Sequence, residues 1–192
     1  VGIRPNIYFT IGFSEVDADE HPEWQMVDRD GNSKMGQIMG AVQARGNPMI
    51  NKAAAQQYFG SIAYWRYLCV SHSEYVDQLK AQLKELIVRF NHPGLWLDII
   101  LQSLCVCDNC RQEMLGMGLD PENDGHIAIH GRKVEIRFFK EITAYIEELA
   151  PGTDVYINGF GQKMDLQDKP DLSSARKVDS VSLFDIESLP SM

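Results

Sequence analysis

Residues 71–101, SHSEYVDQLKAQLKELIVRFNHPGLWLDIIL, contain a helix pattern followed directly by a strand pattern. Ser71 and Glu74 have the spacing of a capping box, in which each side chain satisfies an exposed backbone N–H, and this predicts the start of a helix. The following apolar residues recur three or four positions apart, at Val76, Leu79, Leu83, Leu86, Ile87 and Phe90. Such a stripe packs against a sheet, and the apolar run Leu95–Leu101 supplies a strand. This succession favours an α/β fold.

The same alternation continues in both directions along the chain. Ile7–Phe13 is a β-branched and aromatic run of the kind that is buried on both faces in parallel sheets. A second helical stripe ends at Pro151-Gly152, and the runs Val155–Phe160 and Val178–Ile186 are predicted strands. Residues 14–60 have little periodicity, which is typical of a functional or disordered loop. Strands that alternate with helices imply right-handed crossovers and a parallel sheet.

Composition limits the class of partner. The 192 residues are 44% hydrophobic and carry a formal net charge of −9, which argues against nucleic acid or an anionic membrane as partner. No apolar run approaches the roughly 20 residues that span a bilayer, and the first residues lack the pattern of a secretory signal. We therefore expect one domain over residues 1–192, a cytoplasmic setting and an uncharged ligand.

The cysteines suggest a metal site. Cys105, Cys107 and Cys110 form a C-x-C-x-x-C turn, and Cys69 lies just before the first helix. In a strand-helix-strand unit both positions lie at the same end of the sheet, so four thiolates can converge on one tetrahedral metal at about 2.3 Å. Zinc suits a ligand set of sulfur alone, and four thiolates leave no open position, so the metal would be structural and not catalytic. Buried thiols and disulfides are the alternatives, and disulfides are disfavoured without a secretory signal.

Two carboxylates are candidates for catalysis. Asp98 is a lone charge in an apolar strand, which is costly unless it lies at the carboxyl end, where barrel enzymes place their working groups; the alternative is a structural aspartate that caps the next loop. Glu187 has a similar position at the end of the last predicted strand, although alternation puts Asp185 on the same face. Two carboxylates that face one pocket suit glycoside hydrolysis, with separations of about 5–5.5 Å for retention and about 6.5–9.5 Å for inversion.

Other side chains are candidates for binding a sugar. Trp24 and Trp65 can supply apolar platforms for sugar rings, whereas Trp96 adjoins a core strand and is more typical of packing. His21 and His72 lie in loops and can bind hydroxyl groups, and Asn158 ends its strand and can do the same; lone histidines are more often simply solvated. The implied partner is an oligosaccharide or glycoside.

The motifs resemble two groups of glycosidases. His21-Pro-Glu-Trp24, Asp28-Arg-Asp-Gly31 and the cysteine turn resemble the β-galactosidases of glycoside hydrolase family 42, in which these cysteines hold zinc. That family has an Asn-Glu pair after its fourth strand, where this chain has Ile99 and Ile100. The strand Gly94–Asp98 resembles α-L-fucosidases, whose strand-closing aspartate is the nucleophile. The ending Asp185–Pro190 resembles the hypothetical glycosyl hydrolase 6 group, related to the family 151 α-L-fucosidases.

The resemblance implies a specific fold and activity. We expect a partial (β/α)8 TIM barrel, about strands three to six, truncated at both ends, from a retaining exo-acting α-L-fucosidase that forms homo-oligomers when complete. Asp98 would be the nucleophile, and Glu187 the acid/base or a binder of sugar hydroxyls. A non-catalytic carbohydrate-binding or zinc-stabilised module and a β-galactosidase-like enzyme are the alternatives.

Overall fold

The computed structural model describes residues 5–33, 66–91, 93–98, 105–158 and 183–185, with residues 157–158 and 183–185 described by their backbone alone. The strands are β1 (Asn6–Thr10), β2 (Gly94–Asp98), β3 (Val155–Asn158) and β4 (Leu183–Asp185). The helices are α1 (Glu15–Glu20), α2 (Ser73–Arg89), α3 (Asp108–Gly116) and α4 (Asp124–Leu149), and a 3₁₀ helix covers Pro22–Trp24.

The strands of the described residues form one parallel sheet in the order β1-β2-β3-β4. The register pairs Thr10 with Asp98, Trp96 with Tyr156, and Asn158 with Asp185. Helix α2 connects β1 to β2, and α3 and α4 lie between β2 and β3. The predicted alternation of helices with parallel strands is therefore confirmed.

The main core lies between one face of the sheet and the long helices α2 and α4. Leu95 and Leu97 of β2 are fully buried there, and Ile7 and Phe9 of β1 pack against the same cluster. Both long helices contribute apolar side chains to this core, among them Tyr75, Leu79, Leu83, Phe138, Phe139, Ile142 and Ile146. Tyr8 lies on the opposite face of β1 and is 55% exposed. The prediction that this strand is buried on both faces is therefore wrong for the described part of the chain.

The capping box predicted at Ser71 is also wrong. Helix α2 begins at Ser73, and its N-cap is His72, whose side chain makes no capping hydrogen bond. The Ser71 hydroxyl instead lies 2.9 Å from Cys69 Sγ. The Ser71 hydroxyl therefore contacts a sulfur atom and not the backbone N–H that a capping box would provide.

Two helices occupy segments in which no helix was predicted. Helix α1 begins where the Ser14 side chain accepts a hydrogen bond from Asp17 N, and its six residues are too few to produce a helical period. Helix α3 begins inside the cysteine turn, directly after Cys107. Helix α4 begins earlier than its apolar stripe because Asn123 caps it by accepting from His126 N.

Of the predicted strands, β1 is seen to end early, three residues before Phe13. Strand β1 ends at Thr10, and the predicted extensions over residues 99–101, 159–160 and 178–182 lie outside the described residues. Helix α4 ends as predicted before Pro151-Gly152, where Gly152 has a positive φ of 74°. Within the described segments, no helix combines the length and apolar character needed to cross a membrane.

Candidate functional site

The four cysteines form one buried cluster. Their ligand atoms all lie within 4.8 Å of one another. Cys69 Sγ lies 3.5 Å from Cys110 Sγ and 3.7 Å from Cys107 Sγ. The side chains are between 0% and 5% exposed, and none is in a disulfide. The structure therefore brings together the four sulfur atoms that the spacing indicated.

Two loops hold this cluster at the carboxyl ends of β1 and β2. Cys69 lies in the loop before α2, where its backbone N–H donates to Trp24 O over 2.8 Å. Cys107 is the N-cap of α3, and Cys110 lies in the first turn of that helix. Val106 N donates to Val27 O over 3.0 Å, which fixes the second loop against the segment after β1. These backbone bonds and the start of α3 therefore fix the two loops that carry the cysteines.

The geometry fits a tetrahedral metal ion. Four sulfur atoms at about 2.3 Å from a central metal lie about 3.8 Å from each other. The distances from Cys69 Sγ to Cys110 Sγ and Cys107 Sγ, 3.5 and 3.7 Å, are close to this value. Both are much longer than a disulfide bond of about 2.05 Å. Four buried cysteines in this arrangement can hold a metal ion.

The pKa values of two of the buried thiols are shifted in opposite directions. Burial raises the pKa of the Cys69 thiol, and hydrogen bonds with Cys105 and Cys107 raise it further. The pKa of Cys107 is lowered, first by its hydrogen bond with Cys105. A metal binds thiolates, so binding here must release the protons that the neighbouring sulfurs hold.

Polar groups surround the sulfur atoms. Ser71 Oγ lies 2.9 Å from Cys69 Sγ and 3.4 Å from Cys110 Sγ. His72 Nε2 lies 3.5 Å from Cys107 Sγ. The sequence predicts that His72 binds substrate hydroxyls, and the structure places its Nε2 beside a cysteine. Sequence reasoning missed the contact of Ser71, because a hydroxyl between two sulfurs depends on the folded turn and leaves no periodic signal.

Asp98 ends strand β2 at the carboxyl edge of the sheet and is 4% exposed. Its Oδ2 accepts a hydrogen bond from the Tyr8 hydroxyl, while its Oδ1 has no hydrogen-bond partner in the structure as described. Trp96 lies two residues earlier, and its Nε1 is also buried without a partner there. The rings of Tyr8 and Trp96 lie 6.2 Å apart. These three side chains therefore share the face of the sheet opposite the main core.

Tyr8 is a second residue that sequence reasoning missed. Alternation along β1 puts Tyr8 and Thr10 on the same face, and a parallel register places that face beside the face of Asp98. The alternation was available from the sequence. The register was not, because it depends on which residues of two distant strands pair.

The remaining predicted binding residues have varied positions. His21 stacks on Trp24 with ring centroids 3.7 Å apart and an interplanar angle of 12°. Trp24 is 6% exposed and also contacts Tyr75, so its ring packs in the core as well as under the histidine. Trp65 and Glu187 lie outside the described residues, and Asn158 is described by its backbone as the last residue of β3.

Solved structures with a similar fold include three glycoside hydrolases. An α-L-fucosidase, isoenzyme 2 from Paenibacillus thiaminolyticus, matches with a TM-score of 0.63 and 25% identity, over 82% of this chain and 21% of its own. A polyextremophilic β-galactosidase from the Antarctic haloarchaeon Halorubrum lacusprofundi matches with a TM-score of 0.62 and 14% identity, over 98% of this chain and 30% of its own. A β-galactosidase from Bacillus circulans sp. alkalophilus matches with a TM-score of 0.55 and 15% identity, over 95% and 29%.

Sequence identity and coverage limit what each of these matches shows about this chain. At 14% and 15% identity, the two galactosidases share the fold alone with this chain. The chain spans between 21% and 30% of the three enzymes. No family model and no curated protein matches the sequence.

Proposed function

We propose that the chain is part of the catalytic domain of a glycoside hydrolase, with Asp98 as its nucleophile. The observation that carries this proposal is a buried Asp98 carboxylate at the carboxyl end of a parallel strand. One of its oxygens accepts a hydrogen bond from Tyr8, and the other has no partner among the described residues. Burying a carboxylate oxygen without a partner is costly, and a catalytic role is one explanation for such a group in a folded protein.

We propose further that β1 to β4 are about strands three to six of a (β/α)8 barrel. Sequential parallel strands with helices on one face are the arrangement of that fold. In a barrel, the face that carries Tyr8, Trp96 and Asp98 would line the interior near its carboxyl end, where the active sites of such enzymes lie. The 55% exposure of Tyr8 agrees with a sheet that further strands would cover.

The reaction needs two carboxyl groups. An Asp98 carboxylate oxygen attacks the anomeric carbon while the bond to the aglycone oxygen breaks, and a second carboxylic acid donates its proton to that oxygen. The second group, now a carboxylate, removes a proton from water, which attacks the same carbon and releases Asp98. We assign the second role to Glu187, or else a role in binding sugar hydroxyls. Retention requires a separation of about 5–5.5 Å between the two carboxyl groups.

The proposed substrate is a terminal α-L-fucoside. The α-L-fucosidase from P. thiaminolyticus is 25% identical over 82% of this chain, which supports that choice. His21, Trp65 and Asn158 are proposed to contact the sugar, and Trp24, predicted as a platform for a sugar ring, instead supports the His21 ring that stacks on it. The test is hydrolysis of a panel of aryl glycosides by this chain and by a longer natural protein that contains it. Turnover of the α-L-fucoside is expected from the longer protein; no turnover of any glycoside by either would overturn the proposal in favour of a binding or structural role.

A β-galactosidase is the second candidate. The two galactosidases align with 98% and 95% of this chain, more than the 82% of the fucosidase. Ile99 and Ile100 argue against a β-galactosidase, because these apolar residues occupy the positions at which glycoside hydrolase family 42 has its Asn-Glu pair. Turnover of the β-galactoside in the same panel, with the α-L-fucoside untouched, would select this candidate.

Replacing Tyr8 by phenylalanine is expected to lower kcat for the α-L-fucoside about 10- to 100-fold with little change in KM. The hydroxyl donates to Asp98 Oδ2, and a hydrogen bond to a charged group contributes roughly 1.5–3 kcal/mol. Steady-state kinetics of the longer protein measure the effect. Tyr145→Phe makes the same chemical change on α4, beneath Lys80, and should leave kcat unchanged. Equal kcat and KM values for the two variants would show that the Tyr8 hydroxyl has no role in the reaction.

We propose that the metal held by the cysteine cluster is zinc, bound by Cys69, Cys105, Cys107 and Cys110. A ligand set of four sulfur atoms suits Zn²⁺, which would supply a cross-link between the loops after β1 and β2. Since all four positions are filled by the protein, the role is structural. Metal analysis of protein purified under reducing conditions should give one zinc per chain, and its absence would overturn this assignment.

A further inference from the structure

The turn that carries Cys69 also presents two polar side chains to the cluster. Ser71 is 7% exposed, and its hydroxyl lies between two sulfur atoms, 2.9 Å from Cys69 Sγ and 3.4 Å from Cys110 Sγ. His72 approaches a third sulfur, with Nε2 3.5 Å from Cys107 Sγ. Four consecutive residues therefore supply one ligand and contact three of the four sulfur atoms.

The chemistry of the sulfur atoms fixes the direction of these hydrogen bonds once a metal is bound. A metal-bound thiolate has no hydrogen and can only accept. Ser71 must then donate its hydroxyl hydrogen to Cys69 or Cys110, and His72 can hydrogen-bond to Cys107 only with a hydrogen on Nε2. The separations of 2.9 to 3.5 Å allow both donations.

Hydrogen-bond donors beside the sulfur atoms would stabilise the negative charge of the metal-bound cluster. Four thiolates and one divalent ion leave a net charge of −2 at sulfur atoms whose residues are at most 5% exposed. A buried charge is costly unless hydrogen bonds compensate it, and groups that hydrogen-bond to metal ligands tune the affinity of the site. Ser71 and His72 are side chains outside the ligand set that the structure brings within reach of these sulfur atoms.

The turn holds the serine in place. His72 N donates to Cys69 O over 3.2 Å, which closes the turn. Asn109 Nδ2 donates to Ser71 O over 2.7 Å and links the turn to α3, the helix that carries Cys110. These two bonds therefore fix the backbone of Ser71 beside the two sulfur atoms.

We propose that Ser71 and His72 are the hydrogen-bond donors that set the affinity of the cysteine cluster for its metal. This inference rests on the metal site of the proposed function, and is independent of whether the protein hydrolyses a glycoside. The donors bring no ligand of their own. Their loss should weaken binding and leave the stoichiometry and the tetrahedral geometry unchanged.

The experiment measures zinc affinity of the intact chain by competition with a chelating dye, and the coordination geometry by the absorption of the Co²⁺ form. Ser71→Ala and His72→Phe should each weaken zinc binding by about 10- to 100-fold, the usual effect of removing a hydrogen-bond partner of a metal ligand. Both should keep one metal per chain and the absorption of tetrahedral thiolate-bound cobalt.

Two control variants separate the hydroxyl from a folding defect. Ser73→Ala removes an exposed hydroxyl two residues away, one that bonds to Glu74, and should bind zinc like the wild type. Ser71→Thr keeps the hydroxyl and should bind more tightly than Ser71→Ala. Wild-type affinity in both Ser71→Ala and His72→Phe would overturn this inference alone. A wild-type chain that binds neither metal would overturn the metal site itself.

Discussion

Replacing Asp98 by asparagine is expected to reduce turnover of an aryl α-L-fucoside at least about 1,000-fold, since removing a nucleophile from other hydrolases costs up to ~10⁶ in kcat. Asparagine has the same shape and can still accept a hydrogen bond from Tyr8, which bonds to the Asp98 carboxylate. It has no negative charge with which to attack the anomeric carbon. Steady-state kinetics of the longer protein measure the loss.

The control for this substitution is Asp77→Asn. Asp77 is an exposed residue on α2 that pairs only weakly with Lys80, at 3.7 Å, so the same chemical change there should leave turnover and the melting temperature unchanged. If Asp98→Asn retains a substantial part of the wild-type rate while its melting temperature is normal, Asp98 is not the nucleophile.

A second variant distinguishes attack from binding. Asp98→Gly opens the space in front of the anomeric carbon, so an external anion such as azide can attack in place of the carboxylate. Azide should then restore release of the aryl group and yield a glycosyl azide. An aspartate that only bound sugar hydroxyls would give a variant that azide leaves inactive.

Local sequence patterns predict the presence of helices and strands better than they predict the residues at which these begin and end. The helical stripe over Val76–Phe90 and the apolar run at Leu95 depend on contacts with the sheet, so each leaves a period in the sequence. Helix α1 has six residues and leaves no such period; its start depends on the Ser14 cap. The strand Asn6–Thr10 is shorter than its apolar run because the chain beyond it bends, with Phe13 pairing to Tyr67 in an isolated antiparallel bridge.

The two parts of the site were predictable to different degrees. The cysteines follow from spacing and topology, since three lie within six residues and the fourth lies in the preceding loop at the same end of the sheet. Asp98 follows from a charge in an apolar strand. Tyr8 and Ser71 depend on strand register and on the shape of one turn, which are properties of the folded chain. His21 and Trp24 are close in sequence, yet their stacking depends on the 3₁₀ helix between them.

Replacing Cys110 by serine is expected to release the metal and lower the free energy of unfolding by roughly 3 kcal/mol, a fall in Tm of about 10 °C for a chain of this size. Cys110 is fully buried and lies 3.5 Å from Cys69 Sγ, so its loss removes the sulfur that links α3 to the loop before α2. A serine hydroxyl is a poor ligand for a metal that prefers thiolates. It would also leave a polar group in an apolar cluster that includes Met26, Met114 and Ile127.

Thiol titration makes this test unambiguous, because all four cysteines of the sequence belong to the cluster. The zinc-loaded chain should show no rapidly reacting thiol, and a strong chelator should expose four. The control is Met114→Leu, a volume-conserving change at a fully buried neighbour that keeps every ligand and should retain zinc with a loss below about 1.5 kcal/mol. If Cys110→Ser retains both its zinc and its Tm, the cluster is buried packing; if it loses the metal while Met114→Leu does not, the sulfur atoms hold the two loops together through the ion.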